Sequence, residues 1–191
     1  MLTTIVLASV IALKFRPTWI ERNLLRPYWL VRRREYATVV TSTFLHADMA
    51  HLLFNGFTFW AFAFGLERAI GTPRFLALYG FGVLASGVGT VLTHRGDPQY
   101  RCLGASGAIL AVLFASIVYF PNSAIFILPI PLPIPAPLFA LGYLAFTYVA
   151  SRQSRSTVAH DAHLAGALAG IAFVALTDPQ TLARTVHSIV G

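Results

Sequence analysis

"RCLGASGAILAVLFASIVYF", residues 101–120, is the stretch on which the reading of this chain turns. Ser106 sits between Gly104 and Gly107 at the head of an apolar run. The run suits a membrane, where a helix needs about 20 apolar residues to cross. Ser106 is therefore either a small packing residue or a nucleophile placed in lipid. The two readings make different demands on the rest of the sequence. A nucleophile needs a base, oxyanion donors and water.

The bulk composition supports the membrane. Of 191 residues, 57% are apolar and only 11% charged, against about 45–50% and about 25% in soluble domains. The charges are also segregated. Arg16, Arg22, Arg26, Arg32, Arg33 and Arg34 all precede the first long apolar stretch. The net charge of +7 does not point to nucleic acid, because no soluble basic module carries it. Arginine beside apolar segments reads as headgroup contact, so membrane lipids are expected partners. A single cysteine, Cys102, excludes an internal disulfide framework and a cysteine-based zinc site, and reads as a small buried residue.

The pattern predicts an all-α polytopic membrane protein, one domain over residues 1–191, with six spanning helices. The first is residues 1–13; it has no basic stretch before its apolar part, so it reads as a short span rather than a cleaved leader. The others lie near residues 50–66, 73–92, 103–120, 137–150 and 159–176. Two connections stand out. Residues 14–49 form a long charged and aromatic link, expected to lie partly in the interface. "ILPIPLPIPAP", residues 127–137, contains five prolines and reads as an extended, polyproline-like connector.

Polar groups inside spanning segments are costly and mark function by default. They fall in three clusters: "HADMAHLLFN" with His46, His51 and Asn55; "GASG" with Ser106; and "AHDAHLAGALAG" with His160, Asp161 and His163. Each opens an even-numbered segment. Successive spans alternate direction, so all three clusters lie on one side of the membrane at similar depth. His51 and Asn55 share a helix face, as do His163, Gly166 and Gly170. Gly107, Ala111 and Ala115 form a small-residue stripe that permits close helix approach. Packing that stripe on Gly166 and Gly170 brings Ser106 towards His163.

The parts of a hydrolase are then present. His163 is a suitable base for Ser106. The helix start at Ser106 offers free backbone N–H groups, and His51 and Asn55 offer side-chain donors for an oxyanion. Gly104 and Gly107 leave room for a substrate backbone. Asp161 is two residues from His163 and faces elsewhere, so a Ser106–His163 dyad is expected rather than a triad. Singly, each feature has a plain packing or hydrogen-bonding role. His46 reads as structural, His160 as lining the mouth, and His94 and His187 as loop and tail residues. No metal site is expected: His46 and His51 are five apart, unlike the i, i+4 pair of helical zinc sites. No cofactor is expected either.

At these residues the chain resembles the rhomboid family of intramembrane serine proteases. The signatures are "HADMAHLLFN", "GLERAIG", "GASGA" and "AHLAGALAG", in the family's order, across about residues 41–176. The resemblance implies Ser106 as nucleophile, His163 as base, His51 and Asn55 as oxyanion residues, and His46 as support for the first loop. It implies Glu67 and Arg68 as a charged pair closing the second helix. It also implies transmembrane or membrane-proximal protein substrates, and a gate and cap formed by the fifth helix and "SRQSRSTV". Many members carry a tyrosine four residues after the serine; here it is Leu110. Many have Trp-Arg eight to nine residues before the first motif histidine; here the pair is Ala37 and Thr38. A non-catalytic rhomboid-like protein that binds transmembrane helices is the alternative function. A multi-pass membrane location is expected, in the plasma membrane for a prokaryotic source. The family orientation would place 11 of the 14 Lys and Arg residues outside, whereas the positive-inside rule favours the reverse.

Overall fold

The computed structural model describes residues 1–127, 130–152 and 159–190. Residues 153–158, which hold most of the expected cap loop, lie outside that range.

Helix α1 (Leu2–Lys14) is followed by α2 (Pro17–Asn23) after a 115° bend. Pro17 explains the start of α2, since its fixed φ and missing N–H suit a first helical turn. The expected long link continues through α3 (Pro27–Arg32), α4 (Thr38–Thr41) and a 3-10 turn at Ser42–Phe44. Helix α5 (Met49–Ile70) starts at Asp48, whose carboxylate accepts the His51 backbone N–H at 2.7 Å. It ends at Gly71, where φ is +81°, a conformation that disfavours side chains. Helix α6 (Thr72–His94), α7 (Ser106–Tyr119), α8 (Ala136–Ser151), α9 (His160–Thr177) and α10 (Pro179–Val190) complete the helices.

All six expected apolar segments are helical. By length and composition α5, α6 and α9 can each cross a membrane, and the bent α1–α2 pair makes a possible fourth. Helices α7 and α8, with 14 and 16 residues, are apolar but shorter. The exposed side chains are apolar where lipid would lie, including Leu53, Phe57 and Trp60 on α5 and Leu84, Val88 and Leu92 on α6.

Helix α7 is the centre. Every residue from Gly107 to Val118 is buried, as expected for a helix apolar on all sides. It packs against α5, α6 and α9. The small-residue stripe is where α7 meets α9. A Cβ added at Gly166 would overlap the Gly107 carbonyl oxygen, and one at Gly170 the Ala111 carbonyl oxygen. On the α6 side, a Cβ at Gly82 would lie 2.7 Å from that of Ala111. Backbone therefore meets backbone, and α9 is held one small residue from α7.

Two sequence expectations need correction. The proline-rich connector is extended but paired: β1 (Ala124–Ile127) and β2 (Ile130–Pro135) form an antiparallel hairpin, with Ile125 opposite Ile134 and Phe126 opposite Pro133. A two-stranded sheet has only edges, so prolines can sit where no ladder donor is required. Ile125 anchors the hairpin in a cluster with Phe114 and Ala136. His187, expected as a tail residue, lies on α10, whose Thr185 hydroxyl donates to the Val118 carbonyl.

Candidate active site

The segment before Ser106 is pinned by the first link. Leu25 and Cys102 exchange two backbone hydrogen bonds, at 2.9 and 3.1 Å. The Gly104 N–H donates to the Ser42 carbonyl at 3.1 Å. Gly104 has φ +129°, and a Cβ there would lie 2.7 Å from the His51 ring. Glycine is thus required twice over, by backbone conformation and by the imidazole against it. The link itself is anchored without a Trp-Arg pair at 37 and 38. Arg26 pairs with Glu35 at 3.2 Å, the Thr38 hydroxyl donates to the Glu35 carbonyl at 2.7 Å, and the Trp29 indole donates to the Pro98 carbonyl at 3.1 Å.

Ser106 is the first residue of α7, where backbone N–H groups lack intrahelical partners. Its Oγ lies 2.7 Å from Nε2 of His163 on α9. The opposite ring nitrogen, Nδ1, lies 3.3 Å from the Tyr143 hydroxyl on α8. The sequence reading missed Tyr143; its only signal was a hydroxyl in an apolar helix. Asp161 points away, as expected. It sits 3.3 Å from the Tyr100 hydroxyl and 3.5 Å from Nε2 of His94. His94 is thus not a loop residue: it ends α6, stacked on Tyr100 with centroids 3.5 Å apart. His160 meets Phe146 edge-on at 5.5 Å.

On α5, Asn55 is buried and its amide donates to the His51 carbonyl at 3.0 Å. An amide has two N–H donors, so one is left for a ligand. His46 is fully buried, 4.8 Å edge-on from the His51 ring. The Ser9 hydroxyl of α1 donates to the Phe44 carbonyl at 2.9 Å. Its single proton is then spent, so Nδ1–H of His46, 2.9 Å away, must donate to Ser9. Burial holds His46 well below its usual value, at about 4, with His51 adding to the effect. It is therefore a neutral strut between α1 and the first link. The sequence does not single out Ser9, one of three hydroxyl residues in α1 with Thr3 and Thr4.

Burial, with Asp161 close by, pushes the Cys102 thiol up to about 12, so it is no nucleophile at neutral pH. Beside Ser106 lies a cavity of about 30 Å³, lined in part by Ser42, Ser86 and Thr90. That is room for a water with polar neighbours. Among the described residues no group of His, Cys, Asp or Glu is arranged to hold a metal ion.

A serine hydroxyl, an imidazole within hydrogen-bond reach and a helix start with nearby amide and imidazole donors can together support acyl transfer. Comparison with known proteins agrees with the architecture. Residues 33–179 match the family model described as the Rhomboid domain. The chain is 31% identical over 154 residues to the human presenilin-associated rhomboid-like protein, mitochondrial, covering 71% of this chain and 36% of that protein. It is 37% identical over 97 residues to the putative rhomboid protease YdcA of Bacillus subtilis, covering 50% of this chain and 48% of that protein. To rhomboid protease GluP of the same bacterium it is 37% identical over 87 residues, covering 45% and 16%. The matches thus span half or less of each relative. With the Rhomboid domain matched over most of this chain and its apolar helices in place, the chain belongs to the rhomboid family and is an integral membrane protein.

Proposed function

We propose that the chain is an intramembrane serine endopeptidase that cleaves transmembrane or membrane-proximal protein segments with a Ser106–His163 dyad. The observation that carries this reading is the 2.7 Å approach of Ser106 Oγ to His163 Nε2. The chemistry is acyl transfer. Ser106 Oγ attacks the scissile carbonyl carbon while Nε2 takes its proton. The oxyanion forms near the start of α7, where backbone N–H groups, His51 and the free N–H of Asn55 are the available donors. Collapse expels the amine, which takes the proton from His163 and leaves an ester on Ser106. Water then attacks the ester, with His163 again as base, and releases the acid.

Helix lengths support a membrane substrate. The 14 residues of α7 rise about 21 Å, while the 22 of α5 rise about 33 Å. With the hydrocarbon core about 30 Å thick, a helix as short as α7 leaves at least one of its ends inside the core. A substrate helix has its amides bonded internally, so it must unwind locally before attack.

The test is cleavage of a transmembrane substrate in proteoliposomes by the wild type and by Ser106→Ala. Cleavage by the wild type alone supports the reading. Equal cleavage by both sinks it. A well-folded wild type that binds such helices without cutting them would favour the helix-binding alternative.

A further inference from the structure

We propose that Tyr143 is the positioning residue for His163, accepting the Nδ1 proton at its phenol oxygen and so tying base alignment to the seating of α8. The proposal rests on the hydrolase reading of Ser106 and His163. For Nε2 to accept the serine proton, the neutral ring must carry its own proton on Nδ1. That N–H needs an acceptor. Among the described residues no carboxylate supplies it, because Asp161 is turned towards Tyr100 and His94. The Tyr143 hydroxyl, 3.3 Å from Nδ1, is the side chain in place. The separation is long for a hydrogen bond, and such contacts in resting sites tighten when substrate is bound.

The tyrosine ring is held independently of its hydroxyl. It lies 5.6 Å from the Phe139 ring at 25° and 5.8 Å from the Phe114 ring. Leu110 belongs to the same cluster. The hydroxyl can therefore be removed without unseating the ring. Helix α8 itself is lightly seated. It buries only Ala136, Thr147 and Ala150, and it exposes Leu138, Leu141, Phe146 and Val149. A sideways shift of α8 would carry the phenol away and leave Nδ1–H without an acceptor in an apolar setting. The ring would then be free to turn or change tautomer. A substrate segment that displaces α8 must consequently let it return, or replace the acceptor, before attack.

The variant is Tyr143→Phe, made in the full chain and reconstituted in proteoliposomes. Three readouts are taken: kcat and KM for a transmembrane substrate, thermal stability, and 15N-histidine spectra. The His163 signals are assigned by their loss in His163→Gln. Expected are a fall in kcat of about tenfold or more with KM within about twofold, an unchanged melting temperature, and loss of a single Nδ1–H tautomer that the wild type shows. Unchanged kcat and an unchanged spectrum would overturn the proposal and leave the hydrolase reading standing. A wild-type His163 protonated on Nε2 would overturn it without any variant. A wild type that cuts nothing, but whose tautomer still depends on Tyr143, would sink the hydrolase reading and keep the Tyr143 contact.

Discussion

Ser106 Oγ and His163 Nε2 stand 2.7 Å apart although 57 residues separate them in the chain. The approach is set by the glycines of α9, which bring its backbone against that of α7 one turn below. Four small residues, Gly166 and Gly170 on α9 against Gly107 and Ala111 on α7, thus decide whether a serine and a histidine meet.

Replacing His163 should remove the activation of Ser106. In His163→Ala, labelling of Ser106 by a fluorophosphonate should slow by about 100-fold or more, the usual worth of a positioned base. Labelling at the wild-type rate would show that Ser106 reacts without it.

Asn55→Ala should act on the transition state. We expect kcat to fall about 100-fold with KM little changed, as for the loss of one oxyanion donor. A rise in KM with kcat intact would instead make Asn55 a substrate-binding residue.

Gly170→Ala and Gly142→Ala form a matched pair. The first places a methyl on the Ala111 carbonyl; the second meets nothing within 4 Å. Gly170→Ala should cost about 1–3 kcal/mol by overpacking and also reduce cleavage, because α9 carries His163. Gly142→Ala should be neutral or stabilising by up to about 1 kcal/mol. Thermal unfolding in detergent checks both.

His46 gives the fold an acid limit. Burial lowers its value from 6.5 to about 4, so the unfolded chain binds the extra proton between those two pH values. Stability should therefore be level above about pH 6.5 and decline as pH falls towards 4, by on the order of 3 kcal/mol at most. His46→Asn removes that titration. Its melting temperature should depend less on pH across this window than that of the wild type. Parallel pH profiles would assign the acid sensitivity elsewhere.

The helices were legible because apolar runs between charged or proline-marked breaks leave little choice in lipid. The limits of α5, α6 and α8 differ from the expected ones by a few residues, since Asp48, Gly71 and Pro135 give local start and stop signals. The strand pairing of the connector, residues 127–137, is not legible because proline content reports what a strand cannot donate, not what it can accept. His94 reads as a loop residue because "THRGD" looks like a turn, whereas Tyr100 and Asp161 hold it at the end of α6. Tyr143 and Ser9 carry no signal in the sequence because hydroxyls scattered along an apolar helix do not show which of them meets a partner.

The sequence by itself determined a membrane-embedded helical chain, with polar clusters at the starts of three helices that run the same way. It also marked the glycines at which helices can touch, because small residues at helical spacing need no knowledge of the partner. Only the tertiary structure decided which nitrogen of His163 faces Ser106, that Tyr143 faces the other, and that Ser9 orders His46. Those are contacts between side chains on different helices. They depend on how far each helix slides and turns against its neighbour, and close packing fixes that only when all the helices are in place.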